Sequence, residues 1–243
     1  MKLRILHIIM AAFAAIVAYA SPAGGDDGKA VAKLERKIPD LAQIRTDVLD
    51  PESQYYYPRL MDEYQRNDTL MDLEKFRYLY LGYMFQEDYN PYRSSAFSSQ
   101  NDNLIEKKQI SRQECDSVIK YAEKSLQDNP FDLKEMMNLI SALRIKGKNN
   151  LAQVWQYKFN NILLAIASTG TGLDEESAWF VIEPQHEYIL LNAMGYKVEN
   201  HLFYEPYFEY ITVVDPSGGK AGGYYFNIKT LLDEYYRKYP DDI

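Results

Sequence analysis

The chain has 243 residues, of which 27 are Lys or Arg and 35 are Asp or Glu, giving a formal net charge of −8. Such an acidic surface repels nucleic-acid phosphates and anionic lipid, which argues against both as partners. Aromatic residues make up 14%, including 22 tyrosines, so the chain can bury a core; with Cys115 as its one cysteine, that core rests on packing and not on an internal disulfide.

Residues 1–20 read as a secretory signal peptide. Lys2 and Arg4 form a positive start, residues 5–17 are apolar apart mainly from His7, and Ala18-Tyr19-Ala20 places small residues where a signal peptidase reads. The pattern predicts export to the periplasm or beyond, with the mature chain starting at Ser21. No later stretch is long and apolar enough to span a bilayer, so no membrane span is expected in the mature chain. Residues 21–51 read as a linker and N-terminal segment, with a short helix near 30–37 and with Pro39 and Pro51 as punctuation. Residues 52–243 are expected to form a single mixed domain, helical over 52–170 and sheet plus helices over 171–243.

In the helical part, Pro58 suits an early helical turn, and Leu60, Met61 and Tyr64 share one face. Thr69 with Asp72 suits a helix start. Leu73, Phe76, Leu79, Tyr80, Tyr83 and Met84 then form one stripe, and Tyr78, Leu81 and Phe85 a second. Gly82 falls with Lys75 and Gln86 in the polar gap between them, where it would let another backbone approach closely. Asn90-Pro91 makes a turn that leaves Tyr89 and Tyr92 beyond the stripe. Residues 94–103 read as a polar loop. Ser111 with Glu114 is a capping box opening a helix that carries Cys115, Val118, Ile119, Ala122 and Leu126 on one face. This spacing predicts a buried, unpaired thiol. Asp132 with Glu135 opens the next helix, which carries Leu133, Met136, Met137, Ile140 and Leu143 and closes at Gly147. Asn150 opens a third, with Leu151, Val154, Trp155, Phe159, Ile162 and Ile166 inward, and "STGTG" at 168–172 stops it.

The character changes near residue 177. "AWFVI", "FEYITVV" and "GYYFNI" are β-branched and aromatic runs, and Asp215-Pro216-Ser217-Gly218-Gly219 is a turn between the last two. "HEYILLNAMG" reads as a helix ended by Gly195, and "TLLDEYYRKY" as a final helix. The expected fold class is α+β: tetratricopeptide-like helical hairpins, then a small antiparallel sheet with flanking helices.

Two resemblances follow from these segments. Val118, Ala122, Ser125 and Pro130 stand at tetratricopeptide-repeat spacings, with Gly147 and Ala152 fitting the next unit; Gln156, where a large aromatic belongs, breaks the pattern. "DTLMDLEKFRYLYLGYMFQEDYNPY", "HEYILLNAMGY" and "GYYFNI" together resemble an uncharacterised domain-of-unknown-function family of exported proteins from Gram-negative bacteria. That resemblance implies a periplasmic or secreted location and a single mixed domain, and it supplies no catalytic residues.

The sequence carries few chemical motifs. His186-Glu187 lacks a second histidine four residues on, where Leu190 stands. His201 can reach the same place, with Glu187, Glu199 or Glu205 as oxygen ligands, but satisfied structural histidines are the favoured reading and no metal is assigned. Cys115 lies on an apolar stripe, unlike a catalytic thiolate. Ser217 lacks the first glycine of a nucleophile elbow, and Lys220 stands between glycines where a phosphate loop would place it after them. No catalytic residue and no cofactor is therefore expected. The leading expectation is a non-enzymatic exported binding or protein-interaction module, with Tyr83, Asp88, Tyr89, Asn90 and Tyr92 as ligand-binding residues for a protein or glycan partner. The alternative is a carboxylate-dependent or metal-assisted hydrolase of envelope or dietary polymer, using carboxylates near Asp88 or the His186-Glu187 pair.

Overall fold

The computed structural model describes residues 34–68, 70–105, 110–214 and 222–242. The expected signal peptide, Thr69, and the turn at 215–219 with Lys220 lie outside them. The fold is α+β, and its described residues fall into two compact units: residues 92–161, and residues 34–91 with 162–242.

The first unit contains α4 (Ala96–Ile105), α5 (Glu114–Asp128), α6 (Leu133–Lys146) and the start of α7 (Asn149–Ala167). The capping box at the head of α5 is reciprocal: the Ser111 amide donates to Glu114 Oε2 at 2.8 Å and the Glu114 amide to Ser111 Oγ at 3.2 Å. Asp132 Oδ1 accepts the Glu135 amide at 3.0 Å and starts α6. Gly147, at φ 79°, ends it in a left-handed conformation that a side chain would resist. Lys146 at the end of α6 pairs with Asp116 at the start of α5 at 2.8 Å, so the two helices form an antiparallel hairpin.

The polar stretch expected as a loop at 94–103 is instead α4. Its inward face is itself polar, which hides it from any apolar count. Ser98 and Asn101 are buried and donate to Glu135 of α6, at 3.0 Å to Oε1 and 2.5 Å to Oε2. Asn101 also donates to the Val118 carbonyl of α5 at 3.3 Å.

Cys115 is buried and unpaired beside Val118, Ile119 and Ala122. Burial pushes its thiol up, away from the reactive thiolate. Native protein should resist thiol reagents, and denatured protein should react. Equal labelling rates in the two states would refute the assignment.

Lys158 of α7 is also buried, with Nζ 4.6 Å over the Trp155 ring. Burial lowers its amine to about 8. An unfolded lysine titrates near ~10.4, so between these pH values the unfolded chain binds more protons and stability rises with pH. Lys158→Met should remove this rise. Denaturant unfolding at pH 8 and pH 10 should show wild type gaining about 2 kcal/mol on the variant. Parallel pH profiles would overturn the prediction.

The second unit begins with residues 34–40, which are not helical, and then α1 (Leu41–Leu49) and α2 (Tyr57–Gln65). Of the helix expected near 30–37, residues 30–33 lie outside the described residues and 34–37 are not helical; α1, between Pro39 and Pro51, was not expected, and Asp40 caps it by accepting the Gln43 amide at 3.0 Å. Asp72 caps α3 (Leu73–Gly82), accepting the Lys75 amide at 2.8 Å. Phe76, Leu79, Tyr80 and Leu81 are all but fully buried. Gly82 is closely approached, but by a side chain and not by the second backbone expected there. A Cβ there would stand 2.6 Å from Val48 Cγ1 of α1. Beyond Gly82 the helix tightens into a 3₁₀ turn, Tyr83–Phe85. Lys238, at the end of α9 (Lys229–Lys238), donates to the Met84, Gln86 and Tyr89 carbonyls and lies 4.9 Å over the Tyr89 ring.

The sheet has four strands in the order β1-β4-β3-β2. Strands β2 (Lys197–Tyr204), β3 (Phe208–Val214) and β4 (Gly222–Asn227) run antiparallel, while β1 (Trp179–Phe180) pairs with β4 in parallel. β2 had no signature in the sequence. It is the edge strand and exposed over most of its length, so it carries no apolar alternation. Between β1 and β2, α8 (Gln185–Ala193) ends before Gly195, at φ 90°.

Candidate functional site

The five residues expected to bind a ligand separate into core and surface. Tyr83 is buried, parallel to Tyr57 at 6.2 Å and edge-on to Tyr89 at 5.6 Å. Tyr89 is fully buried, and its hydroxyl donates to the Ile182 carbonyl at 2.7 Å. Asn90 is half-buried and Asp88 exposed. Tyr92 is 53% exposed.

His186 and Glu187 are adjacent on α8 but serve different partners. The fully buried His186 takes the Tyr80 hydroxyl at Nδ1, 2.8 Å away. That hydroxyl also accepts the Ile182 amide at 3.2 Å. The other ring nitrogen, Nε2, lies 3.5 Å from Glu183 Oε2. This histidine is structurally engaged, buried between the Tyr80 hydroxyl and Glu183.

Glu187 points instead at the β2–β3 hairpin. His201 pairs with Ile211 and Phe203 with Glu209, so side-chain alternation puts His201 and Glu209 on one face of the sheet. One ligand atom from each of Glu187, His201 and Glu209 lies within 4.8 Å of the others. His201 Nε2 is 3.1 Å from Glu209 Oε2, and the Tyr188 hydroxyl is 2.9 Å from His201 Nδ1. Glu187 is fully buried, and no hydrogen-bond donor reaches either of its oxygens. Burial above all, then the facing Glu209 carboxyl, pushes Glu187 well above the usual carboxylate range. The two carboxyls can bond only through a proton held by one of them, or through a cation between them.

The sequence offered the His186-Glu187 pair with His201 reaching it, and Glu187, Glu199 or Glu205 as oxygen ligands; of these the cluster contains Glu187 and His201 but not His186, Glu199 or Glu205. Glu209 was missed because it stands inside the apolar run "FEYITVV". The signal available was parity: Glu209 shares its face with Ile211 and Val213, both buried, so a carboxylate faces inward there.

On the other face of the sheet, Leu202 and Tyr204 of β2 adjoin Tyr210 of β3, with Tyr225 of β4 beyond it. Gly223 leaves room for the Tyr210 ring, which a Cβ would strike. Tyr204 stands at 72° to Tyr210 and 74° to Tyr225. Leu202, Phe203 and Tyr204 are consecutive and 41%, 55% and 43% exposed.

Among the described residues no helix is long and apolar enough to cross a membrane. A family model described as a domain of unknown function, DUF4919, matches residues 42–237. No curated protein and no solved structure matches the chain.

Proposed function

The chain belongs to the DUF4919 family, and we propose that it is an exported, non-enzymatic interaction module that takes an extended polypeptide segment along the edge of β2. The observation that carries this reading is the run Leu202, Phe203 and Tyr204. These are three consecutive apolar side chains, each over 40% exposed, on the last strand of the sheet. Exposed edges are usually blunted by charge or distortion. Here the only irregularity in the β2–β3 pairing falls between Val198 and Asn200, and residues 200–204 pair in unbroken register.

A peptide joining this edge gains main-chain hydrogen bonds and sets alternate side chains against the two faces. One face offers Phe203, the other Leu202, Tyr204 and the neighbouring rings. The tilts among these rings favour a protein segment over a glycan, because a sugar ring stacks on a flat aromatic face and Tyr204 stands edge-on to its neighbours. Export rests on the charge and hydropathy pattern of residues 1–20. N-terminal sequencing of the protein from its native host should return Ser21.

A displayed library of extended peptides tests the binding reading. Peptides selected on the wild-type chain should slow amide exchange at residues 200–204 and should lose binding to Phe203→Ser and Tyr204→Ser variants that melt as wild type does. Selected peptides that bind these variants equally well, or that protect other strands, would refute it. So would a chain that binds glycans but no peptide.

A further inference from the structure

We propose that Glu187, His201 and Glu209 form a binding site for one divalent transition cation of the zinc class. This site lies on the face of the sheet opposite Leu202 and Tyr204 and does not depend on the peptide-binding reading. Two observations support it independently. The first is convergence: three ligand atoms from three separate elements lie within 4.8 Å of one another. The second is the state of Glu187. It is fully buried, aims its carboxyl at the cluster, and neither of its oxygens meets a donor. Buried carboxylates in folded proteins are paired, protonated or bound to metal, because an isolated buried charge is too costly. His201 faces Glu209 at 3.1 Å, and an ionised Glu209 can only accept, so with both carboxyls ionised nothing but a cation satisfies Glu187.

The donor set selects the class of ion. Two carboxylates and one neutral imidazole balance a divalent charge, and the nitrogen ligand favours zinc and its neighbours over magnesium and calcium, which take oxygen. The 3.1 Å between His201 Nε2 and Glu209 Oε2 is close to the ~3.3 Å that separates ligands around tetrahedral zinc at ~2.0–2.1 Å. His201 already has the outer partner that metal-binding histidines require: Tyr188 holds Nδ1 at 2.9 Å, which leaves Nε2 for the ion. The His201 side chain is 35% exposed, so the cluster opens to solvent on one side. An ion there joins α8 to the β2–β3 hairpin and keeps a fourth position for water.

The test uses the full chain, stripped with chelator and dialysed, then titrated with zinc by calorimetry and by metal analysis after gel filtration. One zinc per chain is expected, with a rise in melting temperature. His201→Ala should abolish both. Tyr188→Phe should weaken zinc by roughly 10- to 100-fold, as loss of an outer-shell partner does. Glu187→Gln guards against misfolding as an explanation: its amide can donate to Glu209, so the stripped variant should fold at least as well as wild type while losing zinc. Absence of zinc uptake by the folded wild type overturns the proposal, as does equal uptake by wild type and His201→Ala. Uptake of magnesium or calcium in place of zinc overturns the class. If Glu187→Gln gains stability while wild type takes up no zinc, the cluster is a carboxyl pair sharing a proton.

Discussion

Truncating Phe76 to alanine is expected to cost about 3–5 kcal/mol of folding free energy, while Tyr92→Ala should stay within about 0.5 kcal/mol of wild type. Both residues belong to the same aromatic segment, and the sequence treats them alike. Phe76 is 1% exposed and meets Tyr64 edge-on at 6.3 Å. Its loss removes apolar area from the core and leaves a cavity that α2 and α3 cannot close without moving. Tyr92 is 53% exposed, so its truncation leaves no comparable void. Matched denaturant melts of the two variants decide the point. Comparable large losses in both would mean that the Asn90-Pro91 turn closes a core and presents no surface.

The contrast shows what was legible in the sequence. Several helices with apolar stripes were, although α1 was not foreseen and Leu151, expected inward on α7, is 38% exposed at the first turn of that helix. The Ser111–Glu114 box, the Asp132 cap and the stop at Gly147 each depend on a few adjacent residues. Elements whose reasons are tertiary were not. α4 is held through hydrogen bonds from Ser98 and Asn101 to a carboxylate more than thirty residues away, and no local pattern records that. β2 is an edge strand, so half of the usual alternation is missing. The candidate site was half visible for the same reason. His201 and Glu187 attract notice as residue types, but Glu209 joins them only through the register of β2 on β3. Tyr89 shows the converse. Its position after a helix suggested a surface, yet its hydroxyl reaches the Ile182 carbonyl in the interior of the second unit.

The polar interior of the first unit yields the other large effect. Glu135→Ala should cost about 3–5 kcal/mol, in the range for removing one partner from a buried charged network. Glu135 is fully buried on α6 and accepts from Ser98, Asn101 and Asn138, the last at 3.2 Å. Burial raises its carboxyl, so the ionised group is held at a cost that these donors offset. Alanine removes the acceptor and strands Ser98 and Asn101 in the interior, at about 1–3 kcal/mol for each donor left unpaired. Glu135→Gln keeps the volume but turns an amide toward the same donors, so it should fall between wild type and alanine. The loss has a location as well as a size. α4 has few apolar anchors, with only Ser98 and Asn101 buried along it. Without the carboxylate it should exchange its amides through local opening, while α5 and α6, held by Val118, Ala122, Leu139 and Ile140, still exchange only on global unfolding. Amide exchange measured element by element in Glu135→Ala separates the cases: uniform acceleration in all three helices would mean that α4 folds with the hairpin as one unit, and that the buried carboxylate is not what holds it there.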